Sequence, residues 1–186
     1  MGPSLLCVHA YFNYGRAPLD NVKVRQAILH AIYQGDYLDA QIGDPSLYKI
    51  CGAMFGCSTP LASDAGAVGT KKPDIAAAKK LLAEAGYPQG FEVDFACSAG
   101  RYINDEQLCQ AITAQWARVG VKARLRSLPF STYFPMIQRN EASIYLLGWG
   151  VPTFDAFYSL QSLIRSPGAG GDGNFNLGRF SNPQQD

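Results

Sequence analysis

The sequence predicts an α/β fold in which a mostly parallel sheet is flanked by helices. Apolar residues recur with strand spacing in three segments of the second half of the chain, and a segment with helical spacing follows each of them. Such strand–helix–strand units are joined by right-handed crossovers, which build parallel sheets covered by helices. The sequence contains no internal repeat and no domain boundary, so we expect one unit over residues 1–186.

The second half of the chain has the more regular pattern. Residues 91–97 and 121–126 alternate apolar with polar or small side chains, which predicts two strands. Residues 144–149 are continuously apolar, as in a strand that is buried on both faces. The helices predicted between and after these strands are residues 104–118, 130–139 and 154–165.

The first half begins with a strand predicted over residues 5–14, which are rich in apolar and aromatic side chains. Helical spacing predicts an amphipathic helix over residues 21–33 and a short helix over residues 37–41. Another helix is predicted from Pro73 to Gly86, because glycine commonly ends helices.

Residues 43–72 form a long irregular loop in this interpretation. A loop of this length in a compact domain is usually pinned or functional. Cys51 and Cys57 lie inside it, and a disulfide between them would stabilise the fold by about 2 kcal/mol and imply an oxidising compartment. The other three cysteines fall on strand or helix patterns, which predicts buried thiols at Cys7, Cys97 and Cys109.

Composition and motifs argue against several classes of function. The net charge of +1 gives no electrostatic attraction to nucleic acid, and no apolar run approaches the ~20 residues of a membrane span. The basic strand face of Lys122, Arg124 and Arg126 has no interleaved aromatic residues, so we interpret it as a solvated face. We expect no metal, no cofactor and no catalysis. A cysteine hydrolase using Cys97 would lack a nearby histidine in the sequence.

Both ends of the sequence suggest a piece of a longer chain. No positive charge precedes the apolar run at residues 5–8, which favours a strand, with a signal peptide either removed or never included. Ser181, Asn182 and Pro183 are typical of a helix start, yet the chain stops at Asp186.

The segment GWGVPTFDAF, residues 148–157, carries the candidate site. Ligands of open α/β sheets gather at the carboxyl ends of the strands, where Trp149 lies between Gly148 and Gly150. The glycines allow a sharp turn or a close approach of a ligand. Trp149 is either a wall of a binding cleft or a core residue that caps a helix. Asp155 lies in the first turn of the next helix, where the helix dipole favours a carboxylate even without a ligand.

Four segments, in this order, resemble the family 5 extracellular solute-binding proteins. They read PLDNVKVRQAILHAI, DIAAAKKLLAEAGYPQGFEV, AITAQWARVGVKARLRSLPFSTYF and LGWGVPTFDAF. Proteins of this family serve ABC importers for dipeptides, oligopeptides, nickel complexes, glutathione and related solutes. Together the segments cover nearly the whole chain.

The resemblance implies a two-lobed protein with the type II periplasmic-binding-protein fold, which closes on its ligand. Residues 1–186 are then a fragment that forms the C-terminal lobe and carries half of the cleft. The implied function is capture of a peptide or peptide-like solute in the periplasm for a membrane permease, by a monomer that does not bind nucleic acid. The alternative is a ligand-sensing module of a cytoplasmic regulator with the same fold, for which a reduced pair Cys51 and Cys57 would be evidence.

The resemblance also implies roles for individual residues. Peptide-binding relatives often hold the ligand's α-amino group with an aspartate at the position of Pro152, so that anchor is absent here. Asp155 matches a later aspartate of the family and either accepts from a ligand donor or orients the loop. Arg101 corresponds to a basic residue that pairs with a ligand carboxylate, and Tyr102 lines the rim beside Trp149.

Overall fold

A computed structural model describes residues 7–52, 55, 59–63, 72–150, 155–184 and 186. The strands are β1 (Cys7–Phe12), β2 (Phe91–Ala99), β3 (Val121–Pro129) and β4 (Ile144–Trp149). The helices are α1 (Val22–His30), α2 (Gln34–Ile42), α3 (Ile75–Glu84), α4 (Asp105–Ala117), α5 (Phe130–Gln138) and α6 (Ala156–Ser159). A π-helical turn, Leu160–Ile164, continues α6, and two short 3-10 turns occupy Pro45–Leu47 and Ala169–Gly171.

The sheet has the strand order β1-β4-β2-β3. β2 pairs in parallel with β3 and with β4, whereas β1 pairs with β4 in the antiparallel direction. The predicted α/β class with a mostly parallel sheet and flanking helices is therefore confirmed. The antiparallel direction of β1 is a feature that its residue pattern does not reveal, because spacing reports which side chains are buried and not the direction of the neighbouring strand.

Helices cover both faces of the sheet. On one face, α1, α3 and α4 enclose the larger core, in which the ring of Trp116 lies 5.1 Å from the ring of Phe95. On the other face, α5 packs Tyr133, Met136 and Ile137 against β2 and β4. The hydroxyl of Tyr133 donates to the carbonyl of Leu146 and so joins α5 to the middle of β4. β4 is consequently buried on both sides, as its continuous apolar run predicts.

A glycine pair connects the beginnings of β2 and β3. Gly90 has a φ of 79°, and a side chain on it would overlap the carbonyl of Gly120. The tight approach of these two turns allows β2 and β3 to pair from their first residues, Phe91 with Val121.

Two cysteines predicted to be buried thiols are in fact bonded. Cys97 on β2 and Cys109 on α4 form a disulfide, with Cα atoms 6.6 Å apart. Both residues are fully buried, so the burial was predicted correctly and the thiol state was wrong. The pairing arises because α4 returns directly across β2, which brings the second turn of the helix over the strand; spacing alone does not determine that crossing.

The described part of the long loop is held against α2. The side chain of Gln34 exchanges two hydrogen bonds with the backbone of Cys51, of 2.7 Å to its carbonyl and 3.0 Å from its N–H. Cys51 is disulfide-bonded. Cys57 lies outside the described residues, as does much of residues 53–71, so its pairing with Cys51 stays a prediction.

Candidate functional site

The end of β4 is fixed by the C-terminal segment of the chain. Trp149 is half-buried, and its indole N–H donates to the hydroxyl of Ser159 at 3.0 Å. Its ring stacks on Tyr158 with centroids 5.4 Å apart and meets Phe175 edge-on at 5.3 Å. Aromatic contacts of this kind hold the plane of the indole in one orientation. Trp149 thus ends β4 as predicted, with its polar atom already bonded within the protein.

The loop between β2 and α4, residues 100–104, approaches the same strand end. The hydroxyl oxygen of Tyr102 accepts a 2.7 Å hydrogen bond from the N–H of Gly148. This bond replaces a sheet contact, because the register of β2 with β4 covers Ile144 and Tyr145. Three of the predicted site residues, Tyr102, Gly148 and Trp149, are therefore brought together.

Arg101 belongs to the same group through an aromatic contact. Its guanidinium lies 4.9 Å from the ring centroid of Phe130, the first residue of α5, and 5.8 Å from that of Tyr102. A guanidinium over an aromatic face is attracted by the ring quadrupole, and its N–H edge remains able to bind a planar acceptor. Because Phe130 directly follows β3, the carboxyl ends of β2, β3 and β4 all contribute to this group.

Asp105 is a site residue that the sequence analysis missed. Its buried carboxylate accepts hydrogen bonds from Ser98 and from the backbone of Gly100, Arg101 and Tyr102. Burial alone raises the pKa of this carboxyl, but the bonds from Arg101, Tyr102, Gly100 and Ser98 together hold the pKa below its usual value. The available signal was an aspartate at a helix start directly after the segment GRYIN.

The loop is also tied to α2. The amide of Asn104, which has a left-handed backbone with a φ of 48°, donates to the carbonyl of Gln41 at 2.7 Å. In return, the amide of Gln41 donates to the carbonyl of Ile103 at 2.8 Å. The β2–α4 loop is thus held by α2 on one side and by Asp105, at the start of α4, on the other.

Asp155 has a different position from the predicted one. It is the N-cap of α6 and precedes the first turn, with its carboxylate accepting from the N–H of Phe157 at 2.9 Å. The correction has a simple cause, since an aspartate in this position satisfies a helix amide best when its own backbone is still extended. Asp155 and Gly150 are both exposed. Pro152 lies outside the described residues, so its role at the amine-anchor position stays a prediction.

Within the described residues, no three His, Cys, Asp or Glu side chains come together as metal ligands would. No helix in the described ranges has both the length and the apolar character needed to cross a membrane.

The family model of the bacterial extracellular solute-binding proteins, family 5 middle region, matches residues 2–171. The chain belongs to this family. It is 32% identical over 182 residues to heme-binding protein A of Haemophilus influenzae, covering 94% of this chain and 31% of that protein. It is 30% identical over 159 residues to the dipeptide-binding protein of Escherichia coli, covering 79% of this chain and 27% of that protein. This family 5 chain therefore spans about a third of the length of the curated relatives it matches.

Solved structures agree with the fold of this family 5 chain. The clavulanic acid biosynthesis oligopeptide binding protein 2 superposes with a TM-score of 0.84 at 24% identity, over 98% of this chain and 34% of that one. The periplasmic binding protein DppA of Helicobacter pylori, in complex with the peptide STSA, superposes with a TM-score of 0.79 at 22% identity. The superposition covers 98% of this chain and 34% of the DppA chain. The periplasmic-binding-protein fold is confirmed, and these relatives are binding proteins rather than enzymes.

Proposed function

We propose that this chain is part of the substrate-binding component of an ABC importer and captures a peptide or peptide-like small solute in the periplasm. The family supports a solute-binding role. Relatives named for dipeptide, glutathione and heme binding suggest the range of solutes, of which peptides and glutathione share an amide backbone and free carboxylates. The chain itself is proposed to bind and release its solute without chemical change.

We further propose that residues 1–186 form one lobe, the C-terminal one, of a two-lobed monomer. The single sheet with both faces covered is consistent with one folding unit. The coverage of about a third of the relatives leaves room for a second lobe. A solute held between two lobes loses its water on both sides, so one lobe alone should bind it weakly.

The observation that carries the proposal is the meeting of Arg101, Tyr102 and Trp149 at the carboxyl ends of parallel strands. Arg101 offers a fork of donors that matches a carboxylate. The hydroxyl oxygen of Tyr102 accepts from Gly148, and no acceptor among the described residues takes its proton, which leaves that proton for a ligand oxygen. Trp149 supplies a fixed aromatic wall.

No residue is assigned to hold the amine end of the ligand. Pro152 stands where peptide-binding relatives often place the amine-holding aspartate. Asp155 is already used to cap α6, and it would need to give up that bond in order to hold an ammonium group. We therefore propose that binding does not depend on a free α-amino group.

The proposed compartment is supported by the cysteines. The disulfide between Cys97 and Cys109 is of a kind that persists in oxidising compartments and is rare in the cytosol. This supports the periplasm over a cytoplasmic sensor, and a membrane permease is then the natural partner.

The test is calorimetric titration of the full-length protein with glutathione, Gly-Leu and heme, and with carboxyl-amidated and N-acetylated forms of the two peptides. We expect at least one free-carboxylate peptide to bind, amidation or Arg101→Ala to weaken it about tenfold or more, and acetylation to have little effect. Arg118→Ala is the matched control, because Arg118 is an exposed arginine at the far end of α4. Failure of every peptide to bind would contradict the proposal, as would equal affinity for acid and amide. If acetylation and Asp155→Asn both abolish binding, Asp155 is the amine anchor instead.

A further inference from the structure

We propose that Asp105 is the positioning residue of this site, setting Arg101 through the loop backbone and the Gly148–Trp149 strand end through Tyr102. The inference rests on the proposed function only in calling this group of residues a ligand-binding site. The coupling it describes is a property of the chain without ligand.

The hydrogen bonds of Asp105 run in an unusual direction. An aspartate at a helix start commonly accepts from amides that follow it, within the helix. Asp105 instead accepts from three amides that precede it, those of Gly100 at 3.1 Å, Arg101 at 3.0 Å and Tyr102 at 3.2 Å. The carboxylate therefore organises the loop before the helix. Its further bond to the N–H of Glu106, at 3.1 Å, is the one made to the helix itself.

Because Asp105 is buried, its carboxylate and the loop amides depend on each other. Asp105 is 3% exposed, and a buried carboxylate is tolerated only when donors surround it. In this case Ser98, which is fully buried on β2, donates to Oδ2 at 3.0 Å and fixes the carboxylate to the sheet. The loop amides and the carboxylate thus satisfy each other, so the loop conformation that presents Arg101 is defined by the position of Asp105.

The second link passes through the ring of Tyr102. Its backbone N–H is held by Asp105, and its hydroxyl oxygen receives the N–H of Gly148. On its other side β4 is paired with β1, Gly148 opposite Val8, and the Tyr102 bond holds the strand end from the β2 side. Displacement of the loop would release Gly148, the residue directly before Trp149.

The experiment is amide hydrogen exchange, read by NMR, on the chain itself. In Asp105→Asn, the new NH₂ group cannot accept from all three loop amides, so protection of Gly100, Arg101 and Tyr102 should fall about tenfold or more. Protection of Gly148 should fall with them. The amides of the β2–β3 ladder should stay within about twofold.

Two control variants separate positioning from a general loss of stability. Glu106→Gln removes the neighbouring exposed carboxylate of the same helical turn and should leave the loop and Gly148 unchanged. Tyr102→Phe should expose Gly148 while the amides of residues 100–102 stay protected. Adding Asp105→Asn to Tyr102→Phe should then cause no further loss of protection at Gly148, because the Tyr102 hydroxyl that links the loop to Gly148 is already absent.

Several outcomes would overturn the proposal. One is unchanged exchange of the loop amides in Asp105→Asn, and another is loss at the loop with no loss at Gly148. A uniform loss that includes the β2–β3 ladder would make Asp105 a general stabilising residue instead. If Asp105→Asn does not fold, Ser98→Ala removes one donor to the carboxylate, and it must give a smaller loss at Arg101, Tyr102 and Gly148; no change there would likewise refute the coupling. Since no ligand is present, failure of the solute titrations leaves this result unaffected.

Discussion

The Cys97–Cys109 disulfide should contribute a large part of the stability of this chain. The bond closes a segment with a sequence separation of 12, which contains the end of β2, the β2–α4 loop and the first turn of α4. In the chain-entropy treatment, a cross-link over a segment of this size lowers the entropy of the unfolded chain by an amount equal to about 3 kcal/mol at room temperature. Replacing both cysteines with alanine should therefore lower the free energy of unfolding by about 3 kcal/mol.

The assay is urea unfolding followed by circular dichroism, without reductant, on the wild type and the double variant Cys97→Ala/Cys109→Ala. For a chain of this size the loss corresponds to a fall in melting temperature of about 6 to 12 °C. Repeating both curves with reductant is the control, because reduction should bring the wild type down toward the variant. The disulfide predicted between Cys51 and Cys57 is reduced in both proteins, so its contribution cancels in the comparison.

Two results would refute this reasoning. Mass mapping after alkylation without reductant could find Cys97 and Cys109 as free thiols in correctly folded, oxidised protein, and then no bond exists to remove. Alternatively, the double variant could match the wild type to within about 0.5 kcal/mol, the range of neutral surface changes. The same mapping checks Cys51 and Cys57, which we expect to find joined.

Three further predictions concern polar side chains that are buried or half-buried. Gln115→Leu should lower the free energy of unfolding by about 2 kcal/mol or more in a urea titration, because the Gln115 amide satisfies both the N–H and the C=O of Tyr33, at 2.7 and 3.1 Å. Burial lowers the pKa of His9 from 6.5 to about 4, so the unfolded chain takes up a proton first as the pH falls from 6.5 toward 4, and stability is lost across that window. His9→Gln should flatten this dependence when unfolding is measured at several pH values. Ser159→Ala should cost about 1 kcal/mol and shift the emission of Trp149, whose indole N–H loses its acceptor.

A matched surface change provides the control for Gln115→Leu. Gln110→Leu on the exposed side of α4 should leave the urea midpoint almost unchanged. The emission of Trp149 is best read in a Trp116→Phe background. A pH profile unchanged by His9→Gln, a neutral Gln115→Leu or an unshifted Trp149 spectrum would each contradict the corresponding prediction.

Side-chain spacing was enough to locate the central strands, because burial on one or both faces leaves a direct mark in the sequence. The alternation in β2 and β3 and the continuous apolar run of β4 are such marks. The direction of β1 and the Cys97–Cys109 bond left no such mark, since both depend on how separate elements cross in space. The local pattern reports the burial of each single residue, whereas strand direction and disulfide pairing each depend on two separate segments of the chain.

The candidate site also combines residues that the sequence pattern marks with residues that it does not mark. Trp149 could be placed at a strand end from its flanking glycines and the preceding apolar run. Asp105 could not be recognised, because its partners depend on the path of residues 100–104, including the left-handed backbone of Asn104. In the sequence it has the form of an ordinary acidic residue at a helix start. Its actual role, that of accepting from the residues behind it, becomes visible only when the loop is folded.

The position of β3 has a consequence for the behaviour of the protein at high concentration. β3 is an edge strand of the described sheet, and its free backbone groups are a template on which a strand of another molecule could add. Lys122, Arg124 and Arg126 project from it at every second position, and Pro129 ends it. Two such basic edges repel each other, so this strand disfavours edge-to-edge pairing of the sheets of two molecules. Neutral side chains at these three positions would remove that protection while leaving the core intact.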